Sequence, residues 1–150
     1  MEHDPGAGGP FRFSARTEDV DRDLVHRWLS EQSYWAVGRP REVQDAAIDA
    51  SRNYSLHNPD GRQVAYARVV TDGVTFAWLC DVFVSLDHRG LGLGKQLIES
   101  VLADLDRLPL KRVLLSTADA HGLYAQYGFG PLRDASRWMA RGPDRRPAQA

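Results

Sequence analysis

A chain of 150 residues, 43% hydrophobic and 26% charged, has the length and composition of one globular domain with one core. Its formal net charge of -1 supplies no global field for nucleic acid or an anionic membrane, so neither is an expected partner. The single cysteine excludes an internal disulfide and a thiolate metal cluster, and the five histidines (3, 26, 57, 88 and 121) show no ligand spacing, so no metal is expected.

No apolar run is long enough to span a bilayer and the N-terminus lacks a signal-peptide core, so the expected location is cytoplasmic. Residues 1–10 are Gly/Pro-rich and read as a loose segment, and from 141 onward the polar, Pro/Arg-rich sequence reads as a flexible tail. A single domain is expected over 11–140 between them. Phe11, Phe13 and Ala15 alternate with polar residues as in a strand, and Asp19 is placed to cap a helix carrying Val20, Leu24, Val25, Trp28 and Leu29. Tyr34 and Trp35 lie in a short apolar linker before a second helix, which Pro40 opens. Strands follow over 53–57 and 63–70, with turns at Asn58-Pro59-Asp60-Gly61 and Thr71-Asp72-Gly73.

The most informative stretch runs from Val74 to Leu105. An apolar strand, interrupted by the single charge of Asp81, leads into a glycine-rich turn. Leu97, Ile98, Val101, Leu102 and Leu105 then recur at helical spacing. Gly90, Gly92 and Gly94 stand at every second position where that helix begins. Such a loop lets backbone amides approach a ligand closely, and the helix N-terminus adds partial positive charge, so the local physics is that of a phosphate site. It is not a nucleoside-triphosphate loop, because Gln96 follows Gly94-Lys95, and no G-x-G-x-x-G can be threaded through these glycines. After Pro109, Lys111 to Thr117 reads as a strand parallel to the Val74 strand. Asp119 is placed to cap a short helix with Leu123, Tyr124 and Tyr127 on one face, Gly128 ends it, and 129–132 and 135–140 read as two final strands.

Arg89-Gly90-Leu91-Gly92-Leu93-Gly94 fits Arg-x-x-Gly-x-Gly, and in this setting it resembles the pyrophosphate loop of the GNAT superfamily of acyl-CoA-dependent N-acyltransferases. A second piece, Ala120 to Phe129, resembles that family's A-x-x-L-Y-x-x-x-G-F segment; Thr117 stands where many members have Asn. The resemblance covers roughly 11–140 and implies an α/β (α+β) GNAT fold. That fold has a mixed, largely antiparallel sheet of six to seven strands, splayed beside the CoA site and flanked by about four helices.

The function so implied is transfer of an acetyl group from acetyl-CoA to a primary amine of a small molecule, by direct attack through a tetrahedral intermediate. The alternatives are a protein lysine or N-terminal acetyltransferase, and a non-catalytic acyl-CoA sensor. By resemblance, the segment Arg89, Gly90, Leu91, Gly92, Leu93, Gly94 and Lys95 holds the pyrophosphate, and Val82, Phe83 and Val84 offer backbone groups to the pantetheine arm. Tyr124 is the expected general acid for the departing thiolate. Asp81 has two open readings. In one, a buried carboxylate of raised pKa contacts or deprotonates the amine; in the other, a structural Asp is paired with a group such as Arg68 or Tyr66. Tyr34 and Trp35 are expected to wall the acceptor pocket, with His121 a weaker candidate for acceptor contact or base. A homodimer is common among relatives.

Overall fold

In the computed structural model, residues 10–142 are described, so the expected loose ends lie outside the description except for Pro10, Arg141 and Gly142. Two units are distinguished, Met1–Ser116 and Thr117–Ala150.

The first unit is built on strands β1 (Arg12–Ser14), β2 (Arg52–His57), β3 (Gln63–Thr71), β4 (Phe76–Val84) and β5 (Arg112–Leu114). They lie in that spatial order, antiparallel except for the parallel β4–β5 pair. The sheet thus has five strands among the described residues, not six or seven.

Helices α1 (Arg22–Gln32) and α2 (Arg41–Asp49) cover one face. Val25, Trp28 and Leu29 of α1 and Ile48 of α2 pack with Tyr66 and Phe83 of the sheet, and the Trp28 and Phe83 rings stack at 5.4 Å. The cap of α1 is Asp21, whose Oδ1 accepts from the Leu24 amide at 3.1 Å. Asp19, expected in that role, closes a preceding 3-10 turn and accepts a hydrogen bond from Ser14 Oγ instead. Pro40 stands at the start of α2 as its fixed φ favours.

Helix α3 (Leu93–Leu105) lies against β2, β3 and β4. Leu93, Leu97, Ile98, Val101 and Leu105 form its buried stripe, the spacing that made it legible as a helix. Truncating a side chain such as Ile98, which has no exposure, typically costs ~2–5 kcal/mol. On this face Tyr54 donates its hydroxyl to Asp104 at 2.7 Å, tying α3 to β2.

The second unit holds α4 (His121–Ala125) and a 3-10 turn (Ala135–Arg137). Neither expected final strand forms: Asp134 takes a left-handed φ of 57° and 135–137 turn, which breaks any extended run over 135–140. The start of α4 has no side-chain cap; Thr117 Oγ1, not Asp119, accepts from the Asp119 and Ala120 amides at 3.4 and 3.1 Å.

Candidate active site

Tyr66 pairs with Phe83 and Arg68 with Cys80, so Asp81 and Val82 together face the single residue Ala67. This is a β-bulge in β4. Asp81 carries the strain, with φ of 51°, a left-handed conformation that non-glycine residues seldom adopt and that Asp tolerates better than most. The extra residue resets the strand's alternation. Cys80 and Phe83, three positions apart, have cross-strand partners two positions apart and so share a face.

The bulge sits where β4 becomes an open edge. β5 pairs with β4 only from Phe76 to Trp78, whereas β4 continues to Val84. From Leu79 to Val84 no strand among the described residues pairs on that side, so the two parallel strands leave a margin where an extended ligand can hydrogen-bond as an added strand. The Val84 carbonyl is already used, accepting from Arg89 Nε at 3.1 Å, while the Arg89 guanidinium lies 5.1 Å from the Phe83 ring centre. The glycine loop is thereby fastened to the end of this margin.

Within the loop Gly90 and Gly92 have φ of 83° and 77°, so the chain needs glycine there. Gly92 is the N-cap of α3, and no side chain caps that end. The first-turn amides of a helix lack intrahelical partners. The Leu93–Lys95 turn therefore offers N–H donors and the positive end of the helix dipole to an anion. Lys95 is exposed on that first turn.

Asp81 is not the lone carboxylate that the sequence suggests. Its side chain is 1% exposed, and both oxygens accept hydrogen bonds. Arg39 reaches it with two nitrogens at 2.8 and 3.3 Å, Arg68 Nε donates at 2.9 Å, and the Trp35 indole N–H donates at 2.9 Å. Burial alone pushes this carboxyl up, but the hydrogen bond from Arg39 and the charge and hydrogen bond of Arg68 outweigh it and hold it below its ordinary value. The expectation of a raised pKa, on which the base reading leaned, is therefore corrected. Of the two structural partners considered, Arg68 is one; Tyr66 is not, since its hydroxyl donates to Asn53 Oδ1 at 2.5 Å. Burial chiefly pushes the thiol of neighbouring Cys80 up to about 11, away from the thiolate form.

Arg39 escaped the sequence reading. It lies in the linker between α1 and α2, and Arg39 also donates to Gln44 Oε1 at 3.0 Å. Its carbonyl oxygen is 2.9 Å from His26 Nε2. The only signal in sequence is an arginine after a glycine in an apolar linker, which is too common to carry a role. Tyr34 and Trp35 stand in this same linker, edge to face at 4.9 Å and 58% and 42% exposed. The structure thus brings Trp35 to Asp81, as two residues read separately.

In the second unit, Tyr124 is buried and His121 is exposed at the start of α4. Gly128, with φ of 90°, turns the chain so that the Phe129 amide donates to the Tyr124 carbonyl at 3.3 Å and the two rings meet edge to face at 5.8 Å. That closed turn is the physical content of the Tyr-x-x-x-Gly-Phe spacing.

The family model described as "Acetyltransferase (GNAT) family" matches residues 22–129. A Gibberella zeae protein named as an acetyltransferase is 38% identical over 133 residues, 83% of this chain and 74% of that protein. Serotonin N-acetyltransferase 2, chloroplastic, of Oryza sativa subsp. japonica is 38% identical over 112 residues, 69% of this chain and 56% of that protein. A crystal structure from Xanthomonas campestris pv. campestris, described as belonging to the GNAT family, superposes with a TM-score of 0.82 at 43% identity, covering 88% of this chain and 92% of that one.

Proposed function

This chain belongs to the acetyltransferase (GNAT) family, and from that premise we propose that it transfers the acetyl group of acetyl-CoA to a primary amine on a small molecule. The observation that carries the reading is the continuity of two features. The unpaired margin of β4 from Leu79 to Val84 runs directly into the Arg89–Lys95 loop and the uncapped start of α3. An extended pantetheine arm ending in a pyrophosphate has that sequence of chemistries: amides to pair, then charge to neutralise.

On this reading the loop amides, with Arg89 and Lys95, hold the pyrophosphate, and Val82, Phe83 and Val84 align the arm. A backbone N–H of the bulge faces the thioester oxygen as negative charge develops there. The amine lone pair forms the new C–N bond, the C–S bond breaks, and, in the role the family resemblance implies for Tyr124, its phenol gives the thiolate a proton. The amine proton leaves through water, because the Asp81 carboxylate is occupied by two guanidinium groups.

The small-molecule acceptor is supported by the half-exposed Tyr34–Trp35 pair and by the rice relative, named for serotonin, a primary amine on an aromatic body. The test is thermal unfolding with and without acetyl-CoA, followed by thiol release over a panel of arylalkylamines, polyamines, amino acids and lysine peptides. A ligand at a hundred times its Kd stabilises the fold by ~2.7 kcal/mol. A melting shift with thiol release on small amines is expected. A shift without release on any amine would favour the sensor or an acceptor outside the panel, and no shift at saturating acetyl-CoA would end the reading.

A further inference from the structure

We propose that Asp81 is a positioning residue for the acceptor side of the site: it clamps Trp35, and through it the Tyr34–Trp35 wall, to the bulge of β4. The proposal rests on the acetyl-transfer reading above and assigns the acceptor a flat apolar or aromatic body bearing its amine.

The α1–α2 linker has reasons to hold one shape. Ser33 Oγ donates to the Leu29 carbonyl at 2.7 Å and accepts from the Ala36 amide at 3.0 Å. The Gly38 amide donates to the Ser30 carbonyl at 3.0 Å, with Gly38 at φ of 74°. None of these bonds fixes the Trp35 ring, which is 42% exposed and sits on a rotatable side chain. The one polar atom of that ring is spent on Asp81 Oδ1 at 2.9 Å. The accepting oxygen is held in turn by Arg39 at 3.3 Å, while Arg39 at 2.8 Å and Arg68 at 2.9 Å hold the other. A carboxylate gripped from two elements is a rigid anchor. The face of Trp35 is therefore fixed relative to Val82 of the bulge, with Tyr34 edge-on to it. With its oxygens occupied and its side chain 1% exposed, Asp81 acts on an acceptor through the side chains it holds, of which Trp35 is the most exposed.

The test uses Trp35→Phe, which keeps the ring and loses the N–H, with Asp81→Asn and the double variant. Each is assayed for acceptor KM, acetyl-CoA KM and kcat. Both single variants are expected to raise the acceptor KM about tenfold, the order of one lost charge-assisted hydrogen bond. The acetyl-CoA KM and the melting shift induced by acetyl-CoA stay unchanged. The double variant is expected to be no worse than the worse single, the mark of coupled residues. If Asp81→Asn instead collapses kcat at constant acceptor KM and abolishes the acid limb of the pH–rate profile, while Trp35→Phe is silent, Asp81 is a base and the proposal is overturned. An acceptor KM unmoved by Trp35→Phe overturns it even if Asp81→Asn fails to fold. If the wild type acetylates no amine, the activity reading fails separately. Fluorine NMR of 5-fluorotryptophan-labelled protein then decides the clamp: Asp81→Asn should move the Trp35 resonance selectively among the four tryptophans, and an unmoved resonance overturns it.

Discussion

Arg39 and Asp81, 42 residues apart, join the linker between the first two helices to the strained bulge of β4 by two charge-assisted hydrogen bonds of 2.8 and 3.3 Å. Removing one partner of a buried ion pair usually costs more than the pair itself contributes, because a charge is left behind. Here Arg68 remains, and Arg39 is 19% exposed, which softens the loss. Arg39→Ala is expected to destabilise the fold by ~2 kcal/mol. Urea unfolding should show a lower midpoint at unchanged slope. Arg39→Lys should recover only part of it, since an ammonium cannot repeat the fork. A loss near zero would mean that Arg68 and Trp35 suffice to satisfy the carboxylate.

The same pairing fixes how acid acts on the protein. Burial raises the Asp81 carboxyl and the Arg39 and Arg68 interactions more than reverse it, so the folded value lies below the unfolded one near ~3.9. Above about pH 4 the group is charged in both states and its stabilisation is fully present. As pH falls through that value the unfolded chain binds the proton first, and stability drains until the folded carboxyl protonates too. Partly exposed Asp19 and Asp45 and exposed Asp72 shift in the same direction, so the informative quantity is a difference in slope. Below about pH 4 the wild type should lose stability more steeply than Asp81→Asn. Equal slopes would show that Asp81 titrates alike folded and unfolded.

What the sequence made legible follows from the range of the forces involved. The β4–loop–α3 segment could be read because each signal is local: Gly90 and Gly92 are needed for positive φ, and the Leu97–Leu105 stripe states its own period. The Tyr124–Phe129 turn was legible for the same reason. The helix cap was misplaced by two residues because Asp19 and Asp21 are equally good caps in isolation, and the choice is made by Ser14, which engages Asp19 from β1. Asp81 was visible as an anomaly and Arg68 of β3 as one partner for it, but Arg39 and Trp35 were not, since they arrive from the linker. The bulge was invisible because a one-residue register shift leaves no mark in composition.

Gly92 separates the loop's backbone requirement from its space requirement. A methyl group there would meet nothing within 4 Å, yet φ is 77°. Gly92→Ala is thus expected to cost ~1–2 kcal/mol of left-handed strain with no clash. In a loop that presents amides to a ligand, relief of the strain redirects those amides. The melting shift induced by acetyl-CoA should shrink by more than the apo melting temperature falls. Gly92→Trp should abolish the shift. An undiminished shift in both variants would place the pyrophosphate elsewhere.

Tyr124 is buried, and its ring packs edge to face on Phe129 at 5.8 Å, so loss of the hydroxyl alone leaves this ring contact in place. Tyr124→Phe therefore tests the hydroxyl while keeping that ring packing. If the phenol protonates the departing thiolate, kcat should fall ~100-fold or more, the usual contribution of a positioned acid. The melting shift with acetyl-CoA should be retained, because the thioester is bound before any thiolate exists. Parallel losses of binding and turnover would make Tyr124 a packing residue. A retained kcat would move the thiolate's proton to solvent and leave catalysis to alignment and to the bulge amide.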